Sequence, residues 1–576
     1  MSSAKRFDEG VRRALVSALI AALLLAPALG SPAQAAALDR YVSPTGSNSN
    51  SGSLSHPWRT VGYALSRLRA GYTLYVRGGT YVENLSPTLA DGTSSARITV
   101  SNYPGESPTI KGFVAFSDPD YWTISGLRFT WNTGSWDQHM VKIAGGTGWV
   151  LDHVRVYGSR SRAGLLIAKS VHHGAPHRYT VRYSAFYDNL GETGANVYLN
   201  PGLDATDGLL ERNIFYNSNT ENIKIGFGGE GSELSDPLNG AADVTFRYNT
   251  VYSGWQPVTV AEPARDIRIY RNIIVRGTRN DSTGSYLIRL DGTEGRLGAR
   301  ISVHDNIGFD ARRWCWDAGS NVTCREVDDG GNRFPVNPSF ASVNSPVGFH
   351  PLSTAAWQHG RYARTLPSAP IARLAAPAAM DQNQLPVTAV WTGPGGVGYE
   401  LGLSRDGAPF ASVGAVDSPR KRLQLAPGHD YRLRVRAVDS HGSRSPWQYG
   451  GQFWLGGYQE SAGALSYSTG WRTDTDSDYW GGGARYASAD GAKVTLDFSG
   501  RSIAWVSALG PTRGRAAAYV DGSYAGTISL RSRSVTERQV VFARAWPSRG
   551  THRLTLVLLP TSDGSRIDVD AFAVER

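Results

Sequence analysis

Between positions 141 and 290 one short burst recurs, in which two aliphatic residues flank a variable one. The bursts are Val141-Lys142-Ile143, Leu165-Leu166-Ile167, Val197-Tyr198-Leu199, Ile223-Lys224-Ile225, Val258-Thr259-Val260 and Ile288-Arg289-Leu290. Successive side chains of a strand point to opposite faces, so the aliphatic pair enters a core and the middle residue faces outward. A second set of strands comprises Leu127-Arg128-Phe129, His153-Val154-Arg155, Ser184-Ala185-Phe186, Asn213-Ile214-Phe215, Asn249-Thr250-Val251, Asn272-Ile273-Ile274 and Asn306-Ile307-Gly308, with lead positions 26, 31, 29, 36, 23 and 34 apart. Constant strands with unequal spacing predict coils whose connecting loops differ in length, which suits a solenoid better than a bundle or propeller. Two strands recurring in the same order predict a parallel β-helix filled by Val, Ile and Leu. Asn213, Asn249, Asn272 and Asn306 are expected to hydrogen-bond from coil to coil at the inter-strand spacing of about 4.8 Å, a structural ladder.

The pattern changes at both ends of this array. Before it, His56-Pro57-Trp58-Arg59-Thr60 leads an amphipathic stretch to Leu68, expected to cap the open end of the stack. After it, a Pro/Ala-rich passage around Leu366-Pro367-Ser368-Ala369-Pro370 is expected to be a linker. Ala389-Val390-Trp391, Tyr399 to Leu403 and Tyr431 to Asp439 resemble a fibronectin type III sandwich, with Tyr431 at its tyrosine corner. From Tyr458 onward, Trp471, Tyr479-Trp480-Gly481-Gly482, Arg501 to Val506, Gly510 to Gly514 and Tyr519-Val520-Asp521-Gly522 resemble a C-terminal jelly-roll domain of secreted actinobacterial proteins, similar to galactose-binding-like carbohydrate modules. The expected fold class is all-β: a parallel β-helix over 36–350, a linker over 351–369, and two β-sandwich domains over 370–457 and 458–576.

Composition adds the compartment. Lys5, Arg6, Arg12 and Arg13 precede an apolar run from Ala14 to about Ala26, followed by Ala33-Gln34-Ala35; this predicts a cleaved secretory signal over 1–35 and a secreted, extracellular protein. No later segment is apolar enough to span a membrane. Cys315 and Cys324 are the two cysteines of the chain; outside the cell such a close pair predicts a disulfide rather than a metal site. The formal net charge of +10 favours an acidic polysaccharide as partner. The basic residues are scattered and carry no nucleic-acid-binding signature, so no specific nucleic-acid partner is expected. No oligomerisation signal is evident, and a monomer is expected.

The opening Tyr41-Val42-Ser43-Pro44-Thr45-Gly46, the Leu74 to Tyr81 strand and the Asn-led coils together resemble secreted bacterial right-handed parallel β-helix proteins, including polysaccharide lyases of the family-nine pectate-lyase type, over roughly Leu38 to Phe340. Asn222-Ile223-Lys224-Ile225-Gly226 is similar to the segment that carries the lysine base in those lyases. The resemblance implies a polysaccharide lyase, with the base's role carried to Lys224. It also implies calcium as a possible cofactor, although the comparable region here, Asp188-Asn189-Leu190-Gly191-Glu192, departs from the family's acidic cluster and leaves Asp188 and Glu192 as ligand candidates.

The outward column joins Lys142, Tyr198, Lys224 and Arg289, and period-two neighbours add Asn196, Asn200, Asn222 and Asp291. Tyr198 and Lys224 are expected on adjacent rungs and Arg289 two rungs away. β-Elimination from a uronate needs a neutral base at C5 and donors or cations that stabilise the dianionic intermediate. Lys224 suits the base; Asn196, Asn222 or Arg289 suit the substrate carboxylate; Tyr198 suits the leaving oxygen or a sugar face; Lys142 adds positive charge. Tyr479 and Trp480 are candidates for stacking on sugar in the last domain. Glycoside hydrolysis would instead need paired carboxyl groups, for which Glu192, Glu221, Glu262 and Asp291 are available. A non-catalytic glycan-binding surface protein is the third reading.

Overall fold

The computed structural model describes residues 38–131, 138–191, 194–228, 239–279, 281–282, 284–292, 294–317, 319–560 and 565–576. The signal expected at 1–35 and Glu192 lie outside the described residues. The chain forms two compact units, Met1–Pro335 and Val336–Arg576.

The first unit is a parallel β-helix. One sheet takes a strand from each coil in chain order, from Asp39–Val42 through Thr73–Val76, Ile98–Asn102 and Trp122–Ser125 to Asp328–Gly330. The second sheet holds two files. One runs through Arg128–Thr130, Arg155–Tyr157 and Ala185–Tyr187; the other through Val114–Ser117, Val141–Ala144, Leu165–Ala168 and Val197–Asn200. The 12-residue strands Ile214–Ile225 and Thr250–Ala261 belong to both files and join them around a bend, where their mutual register shifts between Ser218 and Glu221.

The interior is apolar and stacked, as period-two alternation requires. Val141, Ile143, Leu165, Ile167, Val197, Leu199, Ile223, Ile225, Val258, Val260, Ile288 and Leu290 all join one buried cluster. The predicted asparagine ladder is present: each Nδ2 donates to the next Oδ1 from Asn213 to Asn249 (3.1 Å), Asn249 to Asn272 (3.2 Å), Asn272 to Asn306 (2.9 Å) and on to Asn332 (3.0 Å). At the N-terminal end the short helix Val61–Leu65 buries Val61, Ala64 and Leu65, and the Glu83 carboxylate accepts from the Val61 and Gly62 amides at 2.9 Å each. Cys315 and Cys324 form the expected disulfide.

The second unit is built of antiparallel sheets. Ile371–Leu374, Leu385–Val390 and Arg420–Leu425 form one three-stranded sheet, and Arg472–Thr475, Gly483–Ala487 and Ile567–Val569 another. An 11-stranded sheet runs from Ala411–Val416 to Ser523–Ser529. Its strand Gln448–Gln459 passes through the position expected to divide two sandwiches, pairing with His429–Val438 on one side and Ala571–Glu575 on the other. The Tyr431 hydroxyl donates to the Ala426 carbonyl at 2.9 Å. Among the described residues no helix is long and apolar enough to cross a membrane.

Candidate functional site

Backbone register places Ala115, Lys142, Leu166, Tyr198, Lys224, Thr259, Arg289 and Trp316 in one column, each paired with the next. Tyr198 and Lys224 are neighbours, and Arg289 is two rungs beyond Lys224. The column is chemically uneven. Lys142 is exposed; Leu166 is buried against Ala144 and Ala168, with Tyr198 packed on that small apolar patch.

Lys224 is half-buried, its Nζ 5.3 Å from the centroid of the Tyr198 ring. The following turn closes over it. Gly226 has φ of +100°, and a Cβ there would stand 1.7 Å from the Ala261 carbonyl oxygen, so a side chain is excluded on two grounds. The turn brings the Phe227 carbonyl within 3.3 Å of the Tyr198 hydroxyl, which donates to it, and the Gly228 amide donates to the Glu262 carbonyl at 2.7 Å. A Cβ on Gly228 would lie 3.3 Å from Lys224 Nζ. Lys224 Nζ thus sits between an aromatic face and a backbone turn that leaves it room.

The far end of the column is differently held. Arg289 donates from Nη1 to Gln256 Oε1 at 3.0 Å and pairs through Nη2 with Asp291 at 3.0 Å. Thr259, fully buried, donates to the same Gln256 oxygen at 3.1 Å. Gln256 therefore bridges the rung between Lys224 and Arg289. The Arg289 guanidinium lies 5.5 Å from the centre of the Trp316 ring. Arg279 adds a second guanidinium, 4.5 Å from Trp255 and 5.2 Å from Trp316, and donates to the Tyr286 hydroxyl at 2.7 Å.

Several expected site residues lie elsewhere. Asn196 and Asn222 are fully buried, not outward-facing. They form a second interior ladder, in which Asn189 donates to Asn196 at 2.8 Å, Asn196 to Asn222 at 2.7 Å and to the Tyr216 carbonyl at 2.9 Å. The physical reason is local: Asn196 precedes the strand Val197–Asn200, and Asn222 follows the register shift, so strand alternation does not govern either side chain. Asn200 stays half-buried, donating to Asn239 at 2.9 Å. Tyr479 and Trp480 are also interior, 4% and 6% exposed, which rules them out as open sugar platforms in this structure. The Tyr479 hydroxyl donates to Asp474 at 3.3 Å and the Trp480 amide to Asp570 at 3.0 Å.

Two of the four carboxylates considered for paired hydrolysis, Glu262 and Asp291, have partners within the fold. Glu262 is buried and accepts from the Glu294 and Arg296 amides at 2.7 and 2.8 Å, and Asp291 is paired with Arg289. Asp188, the calcium candidate, accepts from Asn217. Among the described residues, the one group of three His, Cys, Asp or Glu side chains converging tightly enough for an ion is in the second unit.

One neighbour of the column escaped the sequence patterns. His139 sits against Tyr198, ring centres 5.9 Å apart, and its Nδ1 accepts from the Ala163 amide at 3.1 Å. Burial, reinforced by Arg162 and Lys142, pushes its pKa down to about 4. At neutral pH the imidazole is uncharged, with its proton on Nε2 as a donor. With Lys142, Gln138, Asn84, Ser86 and Phe113 it lines a cleft of about 530 Å³. Its only sequence signal was position, two residues ahead of the strand that carries Lys142.

The chain is 42% identical over 72 residues to the uncharacterized protein YwoF of Bacillus subtilis, covering 12% of this chain and 15% of that protein. It is 42% identical over 78 residues to pectate lyase PEL9 of Emericella nidulans, covering 13% of this chain and 19% of that protein. The chain thus spans less than a fifth of the length of either relative. Among solved structures, a rhamnogalacturonan lyase aligns over 56% of this chain and 100% of its own at 14% identity, with a TM-score of 0.32. Residues 40–217, the first coils of the parallel stack described above, match the family model of the Pel9A-like, right handed beta helix region.

Proposed function

We propose that the β-helix is a polysaccharide lyase that cleaves a uronate-containing polymer by β-elimination, with Lys224 as the base. The observation that carries this reading is the placement of Lys224: outward on a continuous strand, against the Tyr198 ring, beneath a turn that only glycine can make at 226. The match of residues 40–217 to a Pel9A-like region and the partial likeness to a pectate lyase support the same chemistry.

In this reading the neutral Lys224 amine takes the proton from C5 of the uronate. The electron pair passes into the carboxylate-stabilised intermediate; the C4–O bond then breaks, C4=C5 forms, and the leaving oxygen takes a proton from solvent. The Tyr198 hydroxyl is spent on the Phe227 carbonyl, so its ring supplies a sugar platform and holds the ammonium once formed. Arg289, two rungs or roughly 9.6 Å along the file and already tied to Asp291, binds the carboxylate of a neighbouring unit rather than the reacting one. Lys142 and the His139 Nε2–H serve the opposite end. No step is routed through calcium. The signal-like N-terminus supports an extracellular site of action.

The test is product chemistry. The protein is incubated with pectate, alginate and glycosaminoglycans, and unsaturated uronate is followed by its ultraviolet absorbance. Turnover on one polymer that vanishes in Lys224→Ala, while binding persists, is the expected result. Reducing ends without absorbance would replace elimination by hydrolysis, and silence on every acidic polymer would overturn the reading.

A further inference from the structure

In the second unit three side chains converge for which neither the groove chemistry nor the sheet core has a use. His350 lies on the segment that precedes the first antiparallel strand and is 2% exposed. Asp439 and His441 belong to the turn after strand His429–Val438. Asp439 is buried and His441 exposed, and one ligand atom from each of the three falls within 4.8 Å of the others.

The hydrogen bonds around this group specify its protons. Ser443 Oγ donates its single hydrogen to the Pro351 carbonyl at 2.5 Å, so toward His350 Nδ1, 3.0 Å away, it accepts, and Nδ1 carries a proton. Asp439 Oδ1 accepts from the His441 and Ser443 amides at 2.9 and 3.0 Å, which aims Oδ2 at His350. His350 Nε2 stands 3.0 Å from that oxygen yet makes no hydrogen bond, so the oxygen lies off the axis of the ring nitrogen. A buried imidazole nitrogen without a hydrogen-bond partner thus stands 3.0 Å from a carboxylate oxygen, a pairing that a cation held between them would satisfy.

We propose that His350 Nε2, Asp439 Oδ2 and His441 bind a divalent transition-metal ion, Zn²⁺ in the first instance. An ion about 2.1 Å from each ligand atom would see the 3.0 Å separation as an angle of roughly 90°, and about 0.4 Å of opening makes it tetrahedral. The His350 and His441 rings are stacked, 4.1 Å between centres and 21° apart, so ligation would require the exposed His441 ring to turn until a nitrogen faces the ion. The Ser443 and backbone contacts are the outer partners that fix ligand orientation in metal sites. Because His441 is exposed, water would complete the coordination. The ion would clip the segment around His350 to the turn at 439–443.

The test uses the full chain, stripped with EDTA, dialysed, and titrated with ZnCl2 alone by calorimetry and thermal melting. One Zn²⁺ per chain is expected, with Tm raised by about 5 °C or more at a hundredfold excess over Kd. His441→Ala, a change at an exposed position, should weaken binding at least about tenfold and remove the Tm shift, and Asp439→Asn should do the same. A His172→Ala/His173→Ala variant, altering histidines of the other unit, should bind as before. Absence of saturable binding, or binding indifferent to His441→Ala and Asp439→Asn, would overturn the proposal and leave a proton as the bridge between His350 and Asp439.

Discussion

Two files of the same β-helix obey opposite rules. Along the inner ladder the residue repeats: Asn213, Asn249, Asn272, Asn306 and Asn332 give one another the same bond on every coil. Along the outer column it does not: Lys142, Leu166, Tyr198, Lys224, Thr259, Arg289 and Trp316 share a register and little else. Stacking rewards sameness, because an amide in a ladder is satisfied only by another amide one coil away. Recognition of a polymer rewards difference, because each rung meets another part of the ligand. In a solenoid, repetition marks support and its failure marks use.

The contrast can be broken most sharply at Lys224. Lys224→Ala is expected to lower turnover about a thousandfold, some 4 kcal/mol in transition-state terms, with a melting curve that overlays the parent's. If the melting curve moves with the activity, Lys224 belongs with the support. The converse substitution is Asn249→Ala, which strands the Asn213 amide and the Leu210 carbonyl, both bonded to Asn249 at 2.9 Å. Stability should fall by about 3 kcal/mol in chemical denaturation, while turnover per folded molecule stays within twofold.

Smaller effects grade the column. Trp316→Ala removes the ring beside Arg289 and Arg279; KM should rise about tenfold with kcat little changed, the mark of binding away from the reacting unit. Lys142→Ala should raise KM only about threefold, and the difference from the parent should shrink as ionic strength rises, since an exposed charge is screened within about 10 Å at 0.1 M salt. Equal effects at Lys142, Trp316 and Lys224 would erase the proposed division between base and binding rungs.

The coil and its outward column were legible because alternation is strict within strands and the aliphatic pairs recur. Legibility ended where strands end. Asn196 and Asn222 share the parity of Tyr198 and Lys224 but lie at the bend, where the chain turns their amides inward. Parity has no meaning for His139, Trp255 or Arg279, whose places are set by loops and by packing across coils. Tyr479 and Trp480 failed for another reason: an aromatic pair before two glycines looks the same whether its rings fill a sandwich or face a sugar.

The register of the column also makes the protein a ruler. From Ala115 to Trp316 it takes seven inter-strand steps, about 34 Å, and each coil contributes one graduation whatever the length of its loops. Lengthening a loop leaves the scale untouched, whereas adding or deleting a whole coil between Lys142 and Arg289 would change the number of sugar units that the proposed lyase groove spans while preserving every local contact within a rung.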